Sequence, residues 1–388
     1  MSQATKTFIE EALEELDSHG LKRNLRQLSG TQSREIIIEG KKVLNFCSNN
    51  YLGLADDPRL GQAAAECIQR EGFGSGASRL VCGNMDAHRK LEEGIAAFKG
   101  TEDCLVFSTG YMANVGIISS LFGRDDIIFS DRLNHASIID GIRLSQAQCR
   151  RYAHRDMHAL ESMLKSSGNF RKRGIITDSV FSMDGDIAPL KEIVLLSDKY
   201  NALVMIDDAH ATGVLGERGR GGLEHFGITS DRIIQMGTLS KAMGCYGGFA
   251  AGTREMVDLL TNKARSFIYS TSLPPALCEA GIKAIDIIDH GSKGLRKRLW
   301  KNRERLFRGL NDLGFDTLDS ETPIIPVIAG STDNALKLAR RLYRNRIFVS
   351  AIRPPTVPEG KCRLRFSVTA GHTNDDIDLV LGCLSRIK

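Results

Sequence analysis

The feature that most constrains the fold is an alternation of short apolar segments with helix-length segments, which begins near residue 100. Each apolar segment has the length of a buried strand, and each intervening segment is long enough for a crossover helix. This alternation is typical of α/β proteins with a mostly parallel sheet. The predicted strands cover residues 104–108, 127–130, 148–153, 174–180, 202–207, 233–237 and 247–251.

The segments on either side of this region have different patterns. Residues 7–18 have helical spacing of apolar side chains, and residues 35–40 and 43–46 read as a hairpin. After Pro274-Pro275 the pattern becomes a helix over 276–289 and then a smaller mixture of helices and strands. We therefore predict an N-terminal helix and hairpin segment (1–45), a large α/β domain (46–285) and a small C-terminal α+β domain (286–388).

Composition narrows the class of protein. The 388 residues are 42% hydrophobic with a formal net charge of +5, enough for a large core and only mildly basic. The main basic cluster, residues 293–308, reads as the solvated face of a helix; the alternative is a phosphate-binding patch. One Trp and 6% aromatic residues provide little surface for stacking bases, so no nucleic-acid partner is expected.

Cysteine usage and hydropathy indicate the compartment. The nine cysteines are an odd number without a Cys-x-x-Cys pair, which favours reduced thiols in the cytoplasm. No segment approaches ~18 continuous apolar residues, and the N-terminal stretch is acidic, so neither a membrane helix nor a secretory signal is expected.

Lys241 is the leading candidate for chemistry. It lies in Gly-Thr-Leu-Ser-Lys (237–241), directly after the predicted strand 233–237. A lysine removed from water loses its charge more easily, and a neutral amine forms Schiff bases with carbonyl compounds such as pyridoxal phosphate (PLP). The alternative is a solvated lysine in an ordinary turn.

Other polar residues follow other strands, where ligands of parallel sheets bind. Gly110 and Tyr111 open a helix after strand 104–108, so their N–H groups either receive a phosphate or form an ordinary turn. Asp207 ends a strand and is suited to hold a protonated pyridine nitrogen, with His210 nearby. The alternative there is a helix cap and a surface histidine.

Three other histidines are candidates for binding a cofactor or a metal. His135 follows the strand at 127–130, where an imidazole could stack on a planar cofactor ring. His154 and His158 are four residues apart, but no third ligand of suitable character is expected near them. We expect both to be surface residues, and we predict no metal site.

Together these motifs resemble the α-oxoamine synthases, a family of fold-type I PLP-dependent enzymes. The resemblance extends from about residue 20 to the C-terminus, and it is carried by residues 45–54, 74–80, 131–137, 181–186, 207–210 and 237–241. It implies a large, mostly parallel-sheet domain, a smaller α+β C-terminal domain, PLP as cofactor, and a homodimer. Members condense an amino acid with an acyl thioester and release CO₂.

The resemblance also implies roles for individual residues. Lys241 would hold PLP covalently and remove the Cα proton, His135 would stack on the ring, and Asp207 would pair with its nitrogen. Ser182 and His210 would approach the phenolic oxygen. The phosphate would be held by Gly110, Tyr111 and Thr238, with Ser270 and Thr271 from the neighbouring subunit.

Substrate roles follow in the same way. Arg353 would grip the amino-acid carboxylate, with Thr356, Asn49 and His135 beside the substrate. Arg23 matches the substrate-binding arginine that the family has near its N-terminus. Lys22 and Arg26 are the alternative matches to that arginine.

Residues 74–79 and 351–358 look like the branch that joins L-alanine to a pimeloyl thioester, carried by CoA or acyl-carrier protein, in biotin biosynthesis. The alternatives are the branch that uses glycine and acetyl-CoA, a more distant aminotransferase, or an inactive partner subunit, against which Lys241 argues.

Overall fold

The N-terminal segment forms a helix and a small sheet. The computed structural model describes residues 3–19 and 21–386. Helix α1 (Gln3–Ser18) precedes strands β1 (Leu28–Ser29), β2 (Glu35–Ile38) and β3 (Lys41–Asn45). β2 and β3 pair antiparallel, so the predicted hairpin is confirmed. The apolar side chains of α1 are exposed in the single chain, with Phe8 at 71%.

A seven-stranded sheet occupies the centre of the molecule, and its neighbours run in the order β4-β10-β9-β8-β7-β5-β6. β10 is antiparallel to β4 and β9, and every other adjacent pair is parallel. The predicted mostly parallel α/β sheet is therefore confirmed. The strands are β4 (Asp103–Phe107), β5 (Ile127–Asp131), β6 (Gln148–Tyr152), β7 (Arg173–Asp178), β8 (Leu203–Asp207), β9 (Ile233–Thr238) and β10 (Gly248–Gly252).

Helices cover both faces of this sheet. Every strand of this sheet except the edge strand β6 is almost wholly buried, as strands covered on both faces must be. The helices are α2 (Pro58–Glu71), α3 (Asp86–Lys99), α4 (Gly110–Leu121), α5 (Ala136–Ser145), α6 (Met157–Lys165), α7 (Leu190–Tyr200), α8 (Gly222–Phe226), α9 (Arg254–Lys263), α10 (Arg265–Ile268) and α11 (Pro275–Asp286), with a short 3₁₀ turn at Leu54–Asp56.

The C-terminal part has a sheet of its own. After a π-helical turn at Ile287–Gly291, the elements are α12 (Lys293–Asp312), β11 (Ile324–Gly330), α13 (Thr332–Arg344), β12 (Ile347–Phe348), β13 (Ser350–Ile352), β14 (Cys362–Ser367) and α14 (Asn374–Ser385). β11, β14 and β13 pair antiparallel. β12 instead pairs parallel with β3, with Ile347 opposite Leu44, so the N-terminal hairpin shares a sheet with the C-terminal part. The proposed domain boundaries stay a prediction.

The basic cluster on α12 is only partly a solvated face. Leu299, Leu306 and Leu310 are buried as expected. Arg296 and Arg303 are also buried, and their guanidinium groups donate to backbone carbonyls, including that of Ile288 at 3.1 Å. The prediction of a solvated face was wrong at Arg296 and Arg303, because these long side chains satisfy the carbonyls of loop and helix ends.

None of the helices within residues 3–19 and 21–386 combines the length and apolar character that a membrane span requires. All nine cysteines are free thiols.

Candidate active site

Lys241 lies in the turn after β9, at the carboxyl end of the sheet. Thr238, the last residue of the strand, donates its hydroxyl to the Gly247 carbonyl at 2.7 Å and accepts the Ser240 N–H. Gly244 closes the turn at φ +67°, where an added Cβ would lie 2.4 Å from the Ala55 nitrogen. The sequence therefore fixes a tight turn that presents Lys241 to a cleft of about 590 Å³.

The environment of Lys241 favours a neutral amine. Its desolvation lowers the pKa to about 8, although attraction to Asp207 and Asp178 acts in the opposite direction. Arg365 contributes a further lowering. A lysine with this pKa is partly deprotonated near neutral pH, as a Schiff-base nucleophile and a proton acceptor must be.

Asp207 ends β8 and is buried beside the same edge. One carboxylate oxygen accepts from Asn114 Nδ2 at 2.7 Å, and the other accepts from the Ala209 N–H at 2.9 Å. Asp178 ends the adjacent β7, opposite Asp207 in register. Burial, followed by repulsion from Asp207, raises the pKa of Asp178 well above its usual range. Asp178 is therefore more easily protonated than an ordinary aspartate, and beside it Asp207 accepts two hydrogen bonds.

His135 is joined to both acids. Its backbone N–H donates to Asp178 Oδ2 at 2.7 Å, and its Nδ1 lies 2.7 Å from the Ser137 hydroxyl. Ser137 in turn accepts from Asn114, which also donates to Asp207. Desolvation lowers the pKa of His135, so a neutral ring faces the open side of the site. The hydrogen bonds fix the orientation of this ring beside Asp207.

The start of α4 supplies a candidate phosphate site. Thr109 caps the helix by accepting the Met112 N–H at 3.1 Å. The N–H groups of Gly110 and Tyr111 have no acceptor within the helix, because the first turn of a helix leaves its donors free. A Cβ on Gly110 would lie 3.1 Å from Met236 and 3.7 Å from the Thr238 hydroxyl, so Gly110 and Thr238 are neighbours. The Tyr111 ring is half exposed, and its hydroxyl donates to Asp140.

His210 and Ser182 are connected by a buried polar network. His210 Nδ1 lies 2.7 Å from the Tyr51 hydroxyl, which donates to Asn49 Oδ1 at 3.3 Å. Arg365 donates to the same Asn49 oxygen at 3.2 Å and to the Ser182 carbonyl at 2.5 Å. Desolvation, with repulsion from Lys241 and Arg365, lowers the pKa of His210 well below its usual range. His210 is therefore buried as a neutral ring.

Sequence reasoning missed Arg365, Tyr51, Asn114 and Asp178. Arg365 is buried on β14, and within the described residues it forms no ion pair. The available signal was the pair Arg363 and Arg365 inside an otherwise apolar strand, because a charged side chain is seldom buried without a function or a partner.

Ser270 and Thr271 lie close to the proposed phosphate site within the same chain. The Ser108 hydroxyl donates to the Thr271 carbonyl at 3.3 Å, and Thr271 forms an isolated bridge with Ser78. Both residues border a small cavity together with Ser108. Their contribution across a subunit boundary stays a prediction.

The predicted substrate-binding residues do not all lie in one cavity. Asn49 lines the Lys241 cleft, whereas Arg353 lines a second cavity of about 440 Å³ and donates to the Lys22 carbonyl at 3.0 Å. Phe348 borders both cavities. The exposed Thr356 donates its N–H to the Arg353 carbonyl at 3.1 Å.

Arg23 is exposed and lines neither of these cavities. Arg26 borders the cavity of Arg353, with its guanidinium 5.1 Å from the Tyr343 ring centroid and 5.2 Å from that of Phe348. Lys22, Arg23 and Arg26 are the three candidates for the N-terminal substrate-binding residue, and of these only Arg26 packs against this cavity.

The residues at this edge of the sheet fit PLP. A desolvated amine, a buried carboxylate, an oriented neutral imidazole and a helix N-terminus with a glycine are the groups that a pyridine aldehyde phosphate requires. They come from Lys241, Asp207, His135 and Gly110, which follow or flank four different strands.

Comparison with known proteins agrees with this chemistry. The family described as aminotransferase class I and II matches residues 41–384. An 8-amino-7-oxononanoate synthase from Geotalea daltonii is 52% identical over 384 residues, which cover 98% of each protein. A structure of SPT with a PLP internal aldimine has a TM-score of 0.92 at 32% identity and covers 100% of this chain and 98% of its own. The 8-amino-7-oxononanoate synthase from Francisella tularensis has a TM-score of 0.78 at 31% identity, covering 89% of this chain and 97% of its own.

One assignment follows from three observations. These are the residues at the sheet edge, the fold-type I architecture, and the 52% identity over nearly the full length of a relative. The chain belongs to the aminotransferase class I and II family of PLP-dependent enzymes and, within it, to the 8-amino-7-oxononanoate synthases, acyltransferases of the α-oxoamine synthase type in biotin biosynthesis.

Proposed function

We propose that this enzyme condenses L-alanine with a pimeloyl thioester, carried by CoA or by acyl-carrier protein. The products would be 8-amino-7-oxononanoate, CO₂ and the free thiol. The observation that carries the proposal is the desolvated Lys241, with a pKa of about 8, at the strand ends beside Asp207. The substrate pair is supported by the 52% identity to a protein named for this product.

When bound, PLP supplies an electron sink for the carbanion that forms at the amino-acid Cα. Asp207 would hold the ring nitrogen protonated, and the neutral His135 would cover one face of the ring without adding charge. The phosphate would be received by the helix N-terminus of α4 and by nearby hydroxyls. The residues proposed to hold the cofactor are Lys241, His135, Asp207, Ser182, His210, Gly110, Tyr111, Thr238, Ser270 and Thr271.

Lys241 would perform two tasks in sequence. It would hold the cofactor covalently, and its amine, when free, would accept the Cα proton of the amino acid. A pKa of about 8 suits this second task, because a base works best when its pKa is near the operating pH. The same nitrogen can return the proton at the end of the reaction.

Arg353 would bind the amino-acid carboxylate, with Thr356, Asn49 and His135 beside it. Its guanidinium now donates to the Lys22 carbonyl, which is a neutral acceptor. A carboxylate offers a charge-assisted and bidentate contact, so the guanidinium exchanges the carbonyl for the substrate. Arg23 is proposed to read the distal carboxylate of the pimeloyl chain, with Lys22 and Arg26 as the competing candidates.

We place the reaction in the cytoplasm and in a homodimer. Nine free cysteines suit a reducing compartment. The exposed Tyr269, at 70%, lies beside Ser270 and Thr271, which suits a surface that a second subunit covers.

A substrate matrix tests the proposed pair. Purified holoenzyme would be assayed with alanine, glycine and serine against acetyl to pimeloyl thioesters, each on CoA and on acyl-carrier protein. We expect the highest kcat/KM for alanine with a pimeloyl donor. A preference for glycine with acetyl-CoA would refute the proposed substrates and indicate a glycine C-acetyltransferase instead.

A further inference from the structure

His154 is not the surface residue that its spacing indicated. It follows the edge strand β6, and its side chain is 21% exposed. Its Nδ1 lies 3.0 Å from Asp131 Oδ1, and its Nε2 lies 2.7 Å from Asp186 Oδ2. The ring also packs edge-on against Phe181, with centroids 4.4 Å apart and an interplanar angle of 88°. One imidazole therefore joins two acids from different segments.

With both carboxyl groups ionised, this arrangement requires the imidazolium form. A neutral imidazole has one N–H and one lone pair, so it can donate to only one of two carboxylates. The other carboxylate would then face a lone pair across 2.7 or 3.0 Å, which is repulsive. Both acids are almost completely buried, at 2% and 7% side-chain exposure, so water cannot take over the missing contact.

The other charges around His154 are already partnered. Arg155 donates to Asp186 at 3.3 Å and approaches Glu321 at 3.5 Å. Asp184 has a ligand atom within 4.8 Å of those of His154 and Asp186, but it pairs with Arg363 of β14. The expectation that no third potential ligand is near His154 was therefore wrong. In the described residues, His154 is the one side chain that forms ion pairs with both Asp131 and Asp186, and Arg155 joins the same two acids through its backbone N–H and its guanidinium.

Both acids organise segments that carry proposed active-site residues. Asp131 accepts the Leu133 N–H at 2.8 Å in the turn that leads to His135, and it accepts the Arg155 N–H at 2.9 Å. Arg155 has a left-handed φ of 57°, a conformation that needs such support in a non-glycine residue. Asp186 closes the turn that contains Ser182, because its carbonyl accepts the Phe181 N–H at 3.0 Å.

We propose that His154 is a positioning residue for the proposed reaction: a charged clamp that holds the His135 turn against the Ser182 turn through Asp131 and Asp186. His154 does not line the Lys241 cleft. The expected effect of His154 on turnover rests on the proposed function, whereas the charged clamp does not.

The pH dependence of the clamp has a defined sign. Burial alone would lower the pKa of His154, but hydrogen bonds and attraction to Asp131 and Asp186 outweigh it and raise the pKa to about 9. The folded-state pKa is thus above the unfolded value of about 6.5. The stability that the clamp contributes is fully present below pH ~6.5 and is lost as the pH rises through about 9.

The first test measures the clamp without reference to catalysis. In ¹⁵N-histidine-labelled holoenzyme, His154 is assigned by the resonance that disappears in His154→Gln. We expect it to be doubly protonated at pH 8, to titrate near 9 and to titrate at lower pH in Asp186→Asn. The difference in urea midpoint between the wild type and His154→Gln should shrink between about pH 8 and 10.

The second test measures positioning. With the substrate pair that the matrix selects, His154→Gln should lower kcat by about 10-fold or more with a smaller change in KM. The exposed His158, four residues away, provides the matched control, and His158→Gln should behave as the wild type. His154→Gln/Asp186→Asn should lose less than the two single losses combined, because removing one acid relieves the unpaired charge.

Distinct results would overturn the inference. A neutral His154 at pH 8, or equal pH dependence of stability in wild type and His154→Gln, would exclude the charged clamp. Unchanged kcat in His154→Gln would exclude positioning even if the clamp exists. If His154→Gln does not fold, Asp186→Asn supplies the same measurements. An unexpected substrate pair changes none of these outcomes, so failure of the proposed function remains distinguishable.

Discussion

The cofactor side and the substrate side of this site are built differently. The residues that would face PLP come from the ends of β5, β8 and β9 and from the start of α4, and hydrogen bonds between 2.7 and 2.9 Å hold the side chains of His135 and Asp207. The proposed substrate residues Arg23, Arg353 and Thr356 come from the N-terminal segment and from the loop after β13. Arg23 and Thr356 are exposed, and Arg353 is held by one carbonyl.

This difference shows how a fold can separate the residues that carry out the cofactor chemistry from the residues that select the substrate. Parallel strands bring their carboxyl ends to one edge, so a cofactor site on them is preorganised. Loops from two distant parts of the chain can change without disturbing the sheet, so they are suited to substrate selection. Mutations on the cofactor side should therefore abolish turnover, whereas those on the substrate side should change preference.

Lys241→Ala tests the cofactor side with the largest expected effect. It removes both the covalent anchor and the Cα-proton acceptor, so turnover should fall by ~10³-fold or more. The visible absorption band of Schiff-base PLP should also disappear from the purified protein. Lys263→Ala, on the exposed face of α9, is the control. A normal spectrum together with near-normal turnover would remove the basis of the proposed function.

Asp207→Asn should leave PLP bound and slow proton removal. A neutral amide no longer favours the protonated pyridine, so exchange of the alanine α-proton with solvent should slow by about 100-fold. NMR of alanine in D₂O measures this exchange directly. Asp198→Asn, an exposed acid on α7, should behave as the wild type. Exchange at the wild-type rate in Asp207→Asn would assign the pyridine nitrogen to another partner.

Arg23→Ala tests the substrate side. Loss of a charge-assisted contact should raise the KM for pimeloyl-CoA about tenfold while alanine binding to the holoenzyme stays the same. The ratio of kcat/KM for pimeloyl-CoA to kcat/KM for an uncharged acyl-CoA of similar length should decrease. Arg26→Ala is the matched comparison, since Arg26 is the counterpart that packs on Tyr343 and Phe348. If only Arg26→Ala narrows the preference, Arg26 reads the carboxylate.

Subunit mixing tests whether Ser270 and Thr271 act across an interface. Lys241→Ala would be unfolded and refolded together with a Ser270→Ala/Thr271→Ala double variant. If the phosphate contacts come from the neighbouring subunit, mixed dimers contain one intact site, and about a quarter of wild-type activity should return. No recovery, with mixed dimers confirmed by mass spectrometry, would assign these contacts to the same chain, where Thr271 already meets Ser108.

The sequence was sufficient for the sheet and for the order of its strands along the chain, because apolar strands buried on both faces have a clear pattern. It also indicated Lys241 and Asp207, since a charged residue at the end of such a strand stands out. The antiparallel β10 has the same apolar composition as its neighbours, so periodicity does not reveal its direction.

The hydrogen-bond networks could not be predicted in this way. Asn114 lies inside α4, and Arg365 lies inside β14, so neither position follows a strand end. His154 illustrates the same limit, because Asp131 and Asp186 are distant from it in sequence and are brought close only by the fold. Contacts of this kind depend on tertiary packing, which spacing along one segment does not contain.

The pairing of β3 with β12 has a consequence for synthesis on the ribosome. Leu44 leaves the ribosome about 300 residues ahead of its partner Ile347. At roughly 5–20 residues per second, the hairpin waits on the order of 15–60 seconds for the strand that completes its sheet. The nascent chain can assemble the cofactor edge first, and the substrate side is finished only after β12 has left the ribosome.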